Sequence, residues 1–181
     1  LLQGTHLTVT EASTFRTGSA VWVTAATLTV PGGTTFFGDL TTQLGRLEVT
    51  GGGEVKTEGF FNWWGGVHGD GNTTLSVRGG MTFASGTFGG LTLVNEAGST
   101  ATFDTGGVGL HFQGPGTFVN RGTFLTGPTN NGMTQGADNT GQSFENYGTV
   151  IHDANTYLQF GLDFNNYGTV EVRSGRVFVG A

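Results

Sequence analysis

A seven-residue motif near the end of the chain, FENYGTV at 144–150, returns twenty residues later as FNNYGTV at 164–170. An earlier relative, FVNRGTF, occupies 118–124, and a looser form, Leu93-Val94-Asn95 followed by Gly98, precedes it. A catalytic motif has no need of a second copy this close, whereas a stacked structural unit does. The first half carries a sister pattern: Leu28-x-Val30-x-Gly32-Gly33, Leu47-x-Val49-x-Gly51-Gly52 and Leu75-x-Val77-x-Gly79-Gly80, opened by Leu7-x-Val9.

Anchors at Leu7, Leu28, Leu47, Leu75, Leu93, Phe118, Phe144 and Phe164 are separated by 21, 19, 28, 18, 25, 26 and 20 residues. A mean of about 22 residues suits one turn of a β-solenoid. Short alternating segments such as LTV, LEV and TVEV are bounded by Gly-Gly, Ser-Gly and Asn-Gly turns, and no segment keeps a helical spacing over ten residues. The pattern predicts an all-β parallel β-helix of about eight coils with no significant helix. Parallel crossovers favour the right-handed sense. One domain is expected over 1–181, with irregular coils in 1–58 and clearer FxNxGT coils in 59–181.

Stacking coils about 4.8 Å apart would align equivalent residues into rows. Phe118, Phe144 and Phe164 would then form an interior aromatic stack. Asn95, Asn120, Asn146 and Asn166, each two residues past its anchor, would form a ladder of side-chain amides along the axis. Glycine at the corners provides either positive φ or close backbone approach. The three longest gaps predict protruding loops near 58–72, 104–115 and 127–142.

Composition agrees. Of 181 residues 35 are glycine, against a usual share of about 7%, and no Gly-X-Y period is present. Thirty-one threonines and fifteen phenylalanines beside only three prolines favour strands. A net charge of −6, with Lys56 the only lysine, argues against nucleic acid as a partner, and no apolar run is long enough for helical membrane insertion. The absence of cysteine removes disulfides and thiolate metal sites. A chain that begins at Leu1 without methionine reads as a processed form or a piece of something longer.

With these motifs in place, GFFNWWGGVHGDGNTTLSVRGG at 59–80 and the later FVNRGTF, FENYGTV and FNNYGTVEVRSGRV resemble the Gly-rich β-solenoid repeats of large secreted bacterial surface proteins. Those repeats read as a WxGGxxxGxGxLxVxxG coil followed by FxNxGTxxxxxG coils. The resemblance covers 59–181 with a weaker echo in 1–58. It implies an extracellular or cell-surface location and membership of an adhesin, an autotransporter-like passenger or a matrix protein, mostly without catalytic residues.

Other chemistries fit less well. A pectate-lyase-like carbohydrate-active β-helix is the alternative, and it needs clustered carboxylates beside a base. The densest acidic grouping here is His152-Asp153 with Asp163, and strand alternation turns His152 and Asp153 to opposite sides. Gly65-Gly66-Val67-His68-Gly69-Asp70 faintly resembles a calcium nonapeptide, with His68 where glycine belongs; no cofactor is expected, and calcium near Asp70 is the one candidate. Threonine pairs such as Thr8-x-Thr10 build no regular ice-binding ladder. Trp63 and Trp64, with Phe60 and Phe61, form a candidate glycan-stacking or subunit-contact surface. Alternation sets Phe61 and Trp63 on one face and Phe60 and Trp64 on the other. Leu1 and Leu2 at one end, and Val177 and Val179 at the other, are apolar and uncapped. Either the piece continues into more repeats, or the expected partner is a second copy stacked end to end, in a filament or matrix fibre, with glycans or another cell surface as further partners.

Overall fold

The computed structural model describes residues 2–16, 20–36, 38–104, 106, 109–136 and 140–180. Twenty strands and no helix occur among these residues, and every strand pairing is parallel. The chain is a β-solenoid of about eight turns, and its pairings resolve into three parallel ladders, one for each face.

The first face begins with Leu2–Gln3 and Val21–Thr24 and ends with residues 169–172. Its inward row runs Val21, Leu40, Phe61, Met81, Ala101, Phe124, Val150, Val170. The second face begins with His6–Thr8 and Thr27–Pro31, and its inward row opens Leu7, Leu28, Leu47, Val67, Phe88, Phe112. The third face begins with Thr14–Phe15 and Thr35–Phe36, and carries the row Val55, Leu75, Leu93, Phe118, Phe144, Phe164. A second column on this face reads Phe15, Phe36, Thr57, Val77, Asn95, Asn120, Asn146, Asn166. Each coil alone leaves its inward side chains wet. Stacked, the rows close into one core that is buried except at its two ends, where Leu7 and Asn166 are exposed and Phe15, Val21, Phe164 and Val170 are partly covered.

Counted along the first-face row, successive coils take 19, 21, 20, 20, 23, 26 and 20 residues. The period is more even than the sequence anchors suggest, because those anchors change face. Leu47 sits below Val67 on the second face, whereas Leu75 sits above Val55 on the third. The apparent gap of 28 residues therefore contains no insertion.

This corrects the loop expected at 58–72. Residues 61–77 form the longest strand of the molecule, Phe61–Val77, with Trp63 and Val67 directed into the core. Two of the glycines that suggest a loop, Gly65 and Gly69, are there for close packing instead, while Gly71 turns a corner with φ of 91°. A Cβ on Gly65 would run into the Gly45 carbonyl of the neighbouring coil, and one on Gly69 would meet the backbone at Gly90. Of the other two expected loops, 104–115 contains the strand Leu110–Phe112 and 127–142 contains Asn131–Gln135. Residues 105, 107–108 and 137–139 in those stretches lie outside the described residues.

The glycine of the FxNxGT motif has the same role. Gly122, Gly148 and Gly168 stack at one corner without positive φ. A Cβ on Gly168 would strike the Gly148 carbonyl, and one on Gly148 the Gly122 carbonyl. Close approach, rather than left-handed backbone, requires glycine at this position.

Candidate functional site

The predicted amide ladder is present. Asn95 Nδ2 donates to Asn120 Oδ1 at 2.8 Å, Asn120 Nδ2 to Asn146 Oδ1 at 2.7 Å, and Asn146 Nδ2 to Asn166 Oδ1 at 2.7 Å. Each amide also donates to a main-chain carbonyl of the next coil, those of Thr123, Thr149 and Thr169 in turn. Asn95, Asn120 and Asn146 are fully buried, so every such bond is made in a low-dielectric interior. The ladder has a direction. Its first acceptor, Asn95 Oδ1, is buried without a partner above Val77. Its last donor, Asn166 Nδ2, is exposed and turns to its own Gly168 carbonyl at 3.3 Å.

Beside the ladder, the rings of Phe118 and Phe144 stack with centroids 5.1 Å apart and planes 7° from parallel. Phe144 and Phe164 follow at 5.8 Å and 27°. Outside the corner, Tyr147 and Tyr167 repeat the arrangement at 4.8 Å on the surface. The terminal coil leaves Phe164, Val170 and Val177 partly uncovered and Val179 exposed. At the opposite end Leu2 is placed opposite Val23, and Leu1 lies outside the described residues.

The aromatic quartet at 60–64 divides as alternation requires. Phe61 and Trp63 are fully buried, and the indole N–H of Trp63 donates to the Gly65 carbonyl at 2.6 Å. Trp63 is thus a core residue, which corrects its assignment to a binding surface; its inward position between Thr42 and Phe83 leaves no ring face for a ligand. Trp64 is 49% exposed and lies on the outer surface of the first face. It has a counterpart that sequence reasoning missed. Trp22, two coils earlier and 45% exposed, flanks a cleft of about 240 Å³ whose other lining residues are Thr41, Gln43 and Asn62. The register fixes this arrangement: Trp22, Thr41 and Asn62 form one outward column, and Gln43 lies below Trp64 in the next.

Around the adjacent corner lies a polar groove of about 600 Å³ on the second face. The corner is made by Leu44, which is 80% exposed and adopts φ of 54°. Positive φ in a leucine is a costly conformation. Of its lining residues, Arg46 pairs with Glu48 at 2.8 Å and His6 Nε2 lies 3.3 Å from the hydroxyl of Thr29, which donates to Glu48 at 3.2 Å. His68 Nε2 lies 2.9 Å from Thr87 Oγ1. Burial, helped by the nearby Arg46 cation, lowers the His68 pKa to about 4, so its ring is neutral at neutral pH.

Most remaining carboxylates bind coil to coil. Glu54 accepts from Ser76 at 2.6 Å, and this bond is the main cause of its lowered pKa. Arg78 bonds Glu58 at 3.0 Å and Arg121 bonds Glu96 at 3.3 Å. Asp39 accepts the Phe60 amide at 2.8 Å. Asp70 receives four donors: the Gly51 and Gly52 amides on Oδ2, and the Asn72 amide and Thr73 hydroxyl on Oδ1. His152 is buried against Thr126 while Asp153 is exposed, on opposite sides of the strand. Asp153 and Glu171 are joined through Arg173, and Asp163 lies on the third face opposite Ser143. No group of three or more His, Asp or Glu side chains among the described residues is placed to hold a metal ion. Searches with family models, against curated proteins and against solved structures found no match.

Proposed function

We propose that this chain is a non-catalytic structural β-solenoid of an extracellular or cell-surface assembly, a fibre subunit or a stretch of an adhesin, that lengthens by adding coils at its ends. The resemblance to the Gly-rich repeats of secreted bacterial surface proteins supports the location. The observation that carries the structural role is the directional ladder. Buried amides and aromatic rings join the coils of the second half one to the next, and the last of these coils presents an apolar row and a strand edge. An open edge with these features recruits strands. In a fibre subunit the occupant is a second copy, joined head to tail in a non-closing contact; in a stretch of an adhesin it is the next repeat of the same chain.

Light scattering over a wide concentration range tests this, with electron microscopy of the same samples. The expected result is a mass that rises with concentration and rods in multiples of a single solenoid. Substituting Val177→Asp and Val179→Asp together should arrest growth at one copy. A wild-type chain that stays monomeric at the highest concentration reached would defeat the fibre reading.

A further inference from the structure

We infer that the cleft between Trp22 and Trp64 is a binding site for a neutral oligosaccharide. Three observations carry it, and none depends on end-to-end assembly. First, two of the three tryptophans are held on the outside, each about half exposed, although the core beside them is built from apolar side chains of every size. Leaving two indoles wet forgoes the largest apolar burial available to a side chain, which a purely structural coil has no reason to do.

Second, what lies between them is polar and uncharged. Thr41, Asn62 and Gln43 form the floor, offering one hydroxyl and two carboxamides. Carboxamides and hydroxyls both donate and accept, as sugar hydroxyls do, while indole faces pack against the C–H faces of pyranose rings. An anionic sugar has no cation to meet here, because no residue lining the cleft is charged. Arg46, around the corner, already pairs with Glu48.

Third, the site is preorganised by the fold. Trp22 and Trp64 lie two coils apart, about 10 Å along the axis at the usual strand spacing, on strands fixed by ladders on both sides. That separation sets two stacking platforms at the ends of a short polar floor, which matches a linear chain of rings better than a single monosaccharide. Rigid aromatic platforms with little conformational entropy to lose favour binding by weakly interacting ligands.

Intrinsic tryptophan fluorescence and isothermal titration with cellohexaose, chitohexaose and laminarihexaose provide the test. At least one of these should bind saturably and shift the emission. Trp22→Ala and Trp64→Ala should each weaken that binding at least tenfold, with a melting temperature close to wild type because both indoles are surface residues. Tyr147→Ala, which removes an exposed aromatic at the other end of the solenoid, should leave it unchanged. The inference fails if none of the three hexasaccharides binds at millimolar concentration. It also fails if both tryptophan variants bind as the wild type does, or if only tetragalacturonate, an anionic probe, is retained.

Discussion

The two halves of the solenoid use one set of columns for different ends. On the third face, the column that reads Thr57 and Val77 in the first half reads Asn95, Asn120, Asn146 and Asn166 in the second. The neighbouring row changes from Val55, Leu75 and Leu93 to three phenylalanines. The second half is therefore joined by repeated, directional contacts along its axis. The first half has a more varied interior and carries the exposed indoles, the strained Leu44 corner and the His68 groove. Regularity goes with coil-to-coil cohesion, and irregularity goes with surface features that only one place on the rod needs.

Four measurements would break or sharpen this comparison. The largest effect is expected where the first half does depend on an aromatic anchor. Trp63→Ala should cost about 3–5 kcal/mol in chemical denaturation, by emptying a buried site lined by Phe61, Phe83 and Phe88. In the second half, Asn120→Val installs the apolar residue that the same column tolerates at Val77. It should nonetheless cost about 2–4 kcal/mol, since Asn146 Oδ1 and the Thr149 carbonyl lose their donor and Asn95 loses its acceptor. Tolerance similar to Val77 would mean that the ladder contributes little cohesion.

A smaller effect follows from titration of His68. Its folded-state pKa is lowered from 6.5 to about 4, so the unfolded chain binds the proton more readily. Stability tied to this ring is complete above pH 6.5 and is lost as pH falls towards 4. The melting temperature of His68→Gln should fall less than that of wild type across that window, and parallel curves would exclude the mechanism. The smallest change is a gain. Val77 is flanked in its column by two buried orphans, the Thr57 hydroxyl below and Asn95 Oδ1 above. Val77→Asn lets the Thr57 hydroxyl donate to the new carboxamide oxygen and the new amide donate to Asn95, extending the ladder by one rung. An increase of about 1 kcal/mol in denaturant stability is expected, and a clear loss would show that this coil is too tight for an amide.

How much of this was legible in the sequence follows from the same contrast. A column that must present the same group in every coil writes that group into the sequence once per turn. Asn120, Asn146 and Asn166, with Phe118, Phe144 and Phe164, are therefore assignable to ladder and stack from the sequence alone. A cleft assembled from single residues in different coils leaves no such trace. Trp22 and Trp64 are 42 positions apart and share no motif. Alternation could separate Trp63 from Trp64 but not choose between them, because Phe61 and Phe60 give both faces an aromatic pair. Val67 and Leu75 are likewise both apolar residues of one strand, and only the register reveals that a corner between them moves the chain from one face to another. The glycines of residues 65–71 hid that corner by imitating a loop.

Phe15 stands at the foot of the column that Asn166 ends. Where two copies join with the register continued, the Asn166 amide of one, which already donates to its Gly168 carbonyl, meets a phenyl ring of the next instead of a carboxamide. Such a fibre would be jointed rather than uniform. Each subunit would be internally tight, and each seam, recurring about every 40 Å at eight coils of usual spacing, would lack one amide bond. Under tension it would part at its seams, and its fragments would be whole numbers of subunits.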